Sequence, residues 1–207
     1  MMNRQVLIVA FVVFGPSGAA LADGLRSLEI TPFYGYRFGG SLKDDETGEK
    51  HRFDDSACWG GIVSFRLSEM TQLELYHSRQ ETRLRADDSL FGGETVLDLD
   101  IDYYHIGGTY VMSDGPWQPF VVGTIGATHL DPRTSGARSL TRFSLGLGGG
   151  VRFFPTEHLG LYLAGRGVFT SIGSKTIFRS ESGRTTVKVD ASGLGQAELQ
   201  AGVIFAF

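Results

Sequence analysis

The chain has 207 residues, 42% hydrophobic and 20% charged, and its net charge of −4 comes from 15 Arg and 4 Lys set against 23 acids. That apolar content suffices for a packed fold and excludes a disordered tail, while the acidic balance argues against a broad basic face for nucleic acid. The single cysteine, Cys58, excludes an internal disulfide and any multi-cysteine metal site.

The chain opens on Met1-Met2-Asn3-Arg4, followed by an apolar run over 6–14, the break Gly15-Pro16, and the small-residue stretch Ala20-Leu21-Ala22. This order predicts a secretory signal peptide over 1–22, cleaved after Ala22, with 23–207 as one domain. The apolar run spans only about 14 Å as a helix, against a hydrocarbon core of about 30 Å. No later run of about 18 apolar residues follows, which excludes a helical span.

From Leu28 onward the period is two. Trp59, Gly61, Val63 and Phe65 alternate with Cys58, Gly60, Ile62 and Ser64, and the same pattern returns over 143–153, 159–169 and 199–207. Such alternation predicts strands with two unlike faces. The blocks fall at 28–38, 57–67, 71–85, 95–111, 118–130, 140–154, 159–172 and 196–207. Short joins around Ser68, Asp114 and Thr156 alternate with longer polar ones at 39–56, 86–94, 131–139 and 173–195. All four lysines (Lys43, Lys50, Lys175 and Lys188) fall in the long joins. An even number of strands with short turns on one side and long loops on the other predicts an all-β fold, an eight-stranded antiparallel up-and-down transmembrane β-barrel. A lipocalin-like barrel would place its apolar face inward instead. The outward sense is favoured by the polarity of the opposite face. It is also favoured by aromatics near strand ends (Tyr36, Phe38, Trp59, Trp117, Phe120, Phe153, Phe154 and Phe169), as interfacial girdles require.

Several stretches resemble the small outer-membrane β-barrel domain family, related in shape to OmpA- and OmpX-like barrels. They are Asp98-Leu99-Asp100-Ile101-Asp102-Tyr103-Tyr104-His105-Ile106-Gly107-Gly108-Thr109-Tyr110, Pro119-Phe120-Val121-Val122-Gly123, Ser144-Leu145-Gly146-Leu147-Gly148-Gly149-Gly150-Val151 and Leu161-Tyr162-Leu163-Ala164-Gly165-Arg166-Gly167. The resemblance covers 26–207. It implies that the terminal Phe207, in phase with Val203 and Phe205, forms a signal read by the outer-membrane assembly machinery. It implies little about activity, since fold does not determine function.

An eight-stranded barrel is just wide enough for side chains to fill it. Glu29, Arg37, Arg66, Glu74, Asp98, Asp100, Asp102, Arg152, Arg166 and Glu198 are therefore read as a lumenal charge network, in which arginine forks pair with carboxylates. A conducting path through these groups is the alternative. Asp98, Asp100 and Asp102 share one face at intervals of about 7 Å. Arginine partners are preferred for them over a calcium ion. The loop run 43–51 lacks EF-hand spacing and reads as a solvated loop, with cations bridging lipopolysaccharide as the other reading. Adjacent His77 and Ser78 face opposite ways, so no local Ser-His pair is marked; His105 or His129 with a serine on a neighbouring strand remains open. His105 is taken in outward phase with Leu97, Leu99, Ile101 and Tyr103. The run Gly146-Leu147-Gly148-Gly149-Gly150 lacks phosphate-loop spacing and reads as architecture. Cys58 is expected to face inward.

No catalytic residue, cofactor or metal is assigned. The expected role is non-enzymatic: envelope integrity, or contact with an extracellular ligand through the loops 39–56 and 173–195. The partners would be outer-membrane lipid, lipopolysaccharide and the assembly machinery, with no nucleic acid. The alternatives are passage of small or hydrophobic solutes and, third, a lipid-modifying enzyme.

Overall fold

In the computed structural model, residues 28–43, 50–86, 95–133, 139–171, 176–179, 186–189 and 193–207 are described. The expected signal peptide and the loop stretches 44–49, 87–94 and 134–138 lie outside them. The elements in chain order are β1 (Leu28–Phe38), β2 (Ser41–Lys43), β3 (Lys50–Phe53), β4 (Ser56–Arg66), β5 (Thr71–Ala86) and β6 (Thr95–Val111). They continue with β7 (Trp117–Pro132), β8 (Leu140–Phe153), β9 (Leu159–Thr170), β10 (Thr176–Arg179), β11 (Thr186–Val189) and β12 (Leu194–Ala206). The eight long strands match the eight alternating blocks. The short pairs β2–β3 and β10–β11, in two of the long joins, were not expected from the sequence.

Each long strand pairs antiparallel with its sequence neighbour among the eight, and β1 pairs with β12, so the sheet closes on itself. The seam runs to the chain end, where the Phe207 amide donates to the Leu28 carbonyl at 2.9 Å, and is interrupted at Thr31 and Pro32. Starting at Thr71 and stepping across partners, the ladder passes Tyr110, Val121, Gly149, Gly165, Leu199, Tyr36 and Ala57, which adjoins Cys58, the partner of Gln80. One circuit therefore climbs about ten residues along β5, the stagger that accompanies steeply tilted strands in a narrow barrel.

Serine and threonine close the short turns in a chain whose described part has no asparagine. The Thr71, Gly115 and Leu159 amides donate to the hydroxyls of Ser68, Ser113 and Thr156 at 3.1, 3.3 and 3.1 Å. A side-chain oxygen there stands in for a backbone turn partner. On the opposite end, Gly39 and Gly40 take φ values of +81° and +105°, which let β1 turn directly into β2.

The barrel is inverted relative to a water-soluble protein. Its outer wall carries Leu75, Ile106, Val121, Ile125, Leu145, Leu147, Leu161, Leu163 and Leu199, all exposed. Its interior buries Glu29, Arg37, Glu74, Arg152, Arg166, Glu198 and several glutamines. The lumen also holds apolar and aromatic side chains. Phe33 stacks on Tyr76 at 5.7 Å, and Phe120 on Tyr162 at 5.5 Å. Phe120, expected in a girdle, thus packs inside; Tyr36, Trp59, Trp117 and Phe169 stand on the exterior.

Gly146 faces the lumen beside two of these groups. A Cβ built there overlaps Thr124 Oγ1 and comes within 3.2 Å of His105 Nδ1. Gly146→Ala is expected to lower stability by about 1–3 kcal/mol through overpacking, measured by urea unfolding of the barrel in lipid vesicles.

Candidate functional site

The lumen is built around three ion pairs at successive heights. Nearest the short-turn end, Arg152 Nη2 lies 2.6 Å from Glu29 Oε2, and its Nη1 donates to Gln72 Oε1 at 2.8 Å. Gln72 Nε2 donates back to Glu29 at 3.1 Å, closing a triangle. Arg66 reaches Glu29 at 3.4 Å from the mouth, where its side chain is 38% exposed. In the middle, Arg166 Nη2 pairs with Glu74 Oε1 at 2.6 Å while Thr109 donates to the other carboxylate oxygen at 2.9 Å. Above them, Arg37 Nε pairs with Glu198 Oε2 at 2.8 Å. Tyr76 and Gln200 donate to Glu198 Oε1 at 2.8 and 2.6 Å, and Arg37 Nη2 to Ser78 at 2.6 Å.

Two of these guanidiniums also lie on aromatic faces, Arg37 over Tyr103 at 4.2 Å and Arg166 over Tyr76 at 4.0 Å. Buried ions without such partners would carry several kcal/mol of desolvation each. Here three carboxylates meet three guanidiniums, and cation–π contact adds to the pairing.

Seven of the ten expected lumenal charges are thus brought together in the lumen or at its mouth. The other three require a correction. Asp98, Asp100 and Asp102 stand on the face of β6 opposite lumenal Leu99, Ile101, Tyr103 and His105; Asp98 is exposed there, while Asp100 and Asp102 are buried beneath the arginines that pair with them. Their partners are exterior arginines. Arg79 Nη2 lies 2.5 Å from Asp100 and its Nη1 3.6 Å from Asp102, Arg133 Nε lies 2.8 Å from Asp100, and Arg83 lies 3.3 Å from Asp98. Among the described residues no group of three or more His, Cys, Asp or Glu is placed to hold a metal ion.

The inversion of β6 has a positional cause. On β5 the outward residues run from Leu73 and Leu75 at the short-turn end to Arg79 and Arg83 at the other. On β7 they run from Val121 and Ile125 to His129 and Asp131. Beyond the apolar band the exterior becomes polar, so polarity there marks the outside rather than the lumen.

His105, read as outward, is buried in the lumen with its two ring nitrogens 2.9 Å from Thr124 Oγ1 and 2.8 Å from Ser144 Oγ. Nothing in one strand's alternation signals these contacts, because His105, Thr124 and Ser144 sit on three different strands. The arrangement lacks the acidic third group of a hydrolase triad. His77 and Ser78 face opposite ways, Ser78 into the lumen. Cys58 is fully buried. Val203 and Phe205 lie on the outer wall side of β12, opposite inward Ile204, and Phe207 is exposed at the chain end.

No family model matches this sequence, and no curated protein matches it. Solved structures do. Outer membrane protein OprG from Pseudomonas aeruginosa matches with a TM-score of 0.61 at 13% identity, over 87% of this chain and 95% of that one. Outer membrane protein AlkL, determined by solid-state NMR in lipid bilayers, matches with a TM-score of 0.57 at 13% identity, over 87% and 90%. Neisserial surface protein A matches with a TM-score of 0.56 at 12% identity, over 87% and 96%. The fold is therefore that of the small eight-stranded outer-membrane barrels, as the sequence resemblance implied.

Removing one member of a buried pair strands the other. Arg37→Met and Glu198→Gln are each expected to cost about 3–5 kcal/mol, and the double substitution less than their sum, in urea unfolding within lipid vesicles. Cys58 is expected to resist maleimide labelling in the folded barrel and to react fully after unfolding.

Proposed function

We propose that this chain is an integral outer-membrane barrel with a sealed lumen and a non-enzymatic role in envelope integrity or surface contact, the latter through the loops 39–56 and 173–195. The observation that carries this is the inside-out wall: an apolar exterior around an ion-paired core. In lipid every backbone polar group needs a partner within the chain, and the closed ladder supplies it. A cavity of about 590 Å³ at the short-turn end is lined by Glu29, Arg66, Gln118, Phe154 and His158, and the Glu29–Arg152 pair lies at its inner side. The His105–Ser144 pair is buried in the lumen, with both ring nitrogens of His105 held by hydroxyls. This supports the non-enzymatic reading.

Surface contact through the loops predicts that deleting residues 41–52 removes binding to host or neighbouring-cell surfaces while folding survives. A sealed lumen predicts no steady conductance from purified protein in planar bilayers. A stable open level of porin-like size in wild-type protein would sink the sealed-lumen reading. Replacement of Arg166 and Glu74 together by alanine is expected to raise conductance, because it empties the middle of the three ionic layers.

One feature favours passage of hydrophobic solutes as a second reading. An apolar groove of about 780 Å³ crosses the outer wall at Leu145, Leu147, Gly167, Phe169 and Gly195. Liposomes bearing the barrel would then take up an apolar dye faster than liposomes bearing a Gly167→Trp variant.

A further inference from the structure

The cavity of about 590 Å³ at the short-turn end holds more than the ion pairs beneath it explain. At its inner side Glu29 already holds both Arg152 and Arg66. Two short turns form its sides, the β6–β7 turn with Asp114 and Pro116 and the β8–β9 turn with Phe154 and Glu157. Asp114 and Glu157 are exposed, and among the described residues neither carboxylate has a hydrogen-bond or ion-pair partner. Two uncommitted anions and an aromatic-and-proline surface thus stand above a carboxylate that is already paired.

The chain enters the barrel at this cavity. Ala206 and Phe207 line it; Ala206 is the register partner of Glu29, and the Phe207 amide donates to the Leu28 carbonyl at 2.9 Å. Whatever precedes Leu28 therefore leaves β1 at the cavity wall. With the expected cleavage after Ala22, that stretch is Asp23-Gly24-Leu25-Arg26-Ser27, which lies outside the described residues. Five extended residues reach about 17 Å, farther than a compact cavity of that volume is wide. Their chemistry matches the lining in kind: a cation for the two anions, an aliphatic side chain for Phe154 and Pro116, and an anion for Arg66, whose side chain is 38% exposed.

We propose that residues 23–27 fold back into this cavity and close the short-turn mouth of the barrel. Arg26 pairs with Asp114 and Glu157, Leu25 lies against Phe154 and Pro116, and Asp23 comes to Arg66. A guest tethered this closely is present at an effective concentration in the millimolar range, so contacts too weak to hold a free ligand suffice. The proposal rests on cleavage after Ala22 and goes beyond the sealed-lumen reading: ion pairs fill the barrel, and the chain's own leading segment covers their open end.

The test uses the chain 23–207 refolded in detergent micelles, where trypsin reaches both ends of the barrel. Cleavage after Arg26 is followed by mass spectrometry as release of the peptide 23–26. The Asp114→Asn/Glu157→Gln double variant is expected to release it about fivefold faster than wild type, the equivalent of two exposed ion pairs. Glu69→Gln, in the β4–β5 turn beside the start of β1 but outside the cavity, should leave the rate unchanged. On oxidation, Arg26→Cys combined with Glu157→Cys is expected to form a disulfide within one chain, and Arg26→Cys combined with Glu69→Cys is not. All these substitutions lie outside the lumen, and compact gel mobility before heating confirms folding. Equal release from wild type and the Asp114→Asn/Glu157→Gln variant, as when Arg26 and Ser27 merely prolong β1 along β4, would overturn the proposal. So would equal disulfide yield from the two cysteine pairs, or a disulfide-linked dimer, which makes a second copy the occupant. An exported chain whose intact mass starts beyond Arg26 would remove the premise of the proposal and overturn it, while leaving the sealed-lumen reading untouched.

Discussion

The Arg37–Glu198 pair ties the first barrel strand to the last. The two residues are register partners across the β1–β12 seam, and their side chains meet inside it at 2.8 Å. Closure and the filling of the lumen are therefore the same event. Until β12 docks on β1, Glu198 has neither Arg37 nor the Tyr76 and Ser78 hydroxyls, and a carboxylate so placed cannot be left dry. Once the seam forms, each of these groups acquires its partners from strands distant in the chain, which links the ring of backbone hydrogen bonds to a specific ionic interior. The other two pairs span the lumen in the same way, Glu29 to Arg152 and Glu74 to Arg166. Arginine serves here because its fork can hold a carboxylate, donate to a second polar neighbour and lie flat on an aromatic ring at once.

Most of this architecture was readable from the sequence where the alternation of side chains meets a lipid-like exterior. In the band between the two rims, apolar residues point out and polar ones point in, so Glu74, Arg166 and Glu198 revealed their own orientation. On β6 the same rule gave the wrong face. Asp98, Asp100 and Asp102 are polar because that part of the strand extends past the apolar band, and Leu99, Ile101 and Tyr103 are apolar because they fill the mouth of the barrel there. Period two survives across the boundary, but its meaning reverses. The sequence contains a cue to the reversal: further along β6, Tyr104, Ile106 and Tyr110 continue the aspartate phase as exterior aromatic and aliphatic residues.

The remaining gaps concern contacts rather than faces. Alternation shows that a residue points inward but not which inward residue it meets across the lumen. The pairing of Arg152 with Glu29 joins residues 123 positions apart, and the hydroxyl partners of His105 lie on β7 and β8. The aromatic layers were hidden for another reason. Phe33, Phe120 and Tyr162 share phases with polar residues, so composition on that face looked more ionic than the packing is. Stacked rings and guanidiniums divide the lumen between them, and the rings remove the space that water would need to keep the charges separately solvated.

Each buried lumenal charge has an opposite charge in contact, although Nε and Nη1 of Arg166 are left without a hydrogen-bond partner. Moving Arg37 toward a solute means surrendering Glu198, Ser78 and the face of Tyr103 together, an exchange few small molecules could match. The exterior edge is built differently. Arg79, Arg83 and Arg133 are tethered by aspartates yet remain open to their surroundings, and they stand at the boundary where the wall changes from apolar to ionic. The ionic lumen and the ionic rim thus differ in access, the first buried among its own pairs and the second partly exposed.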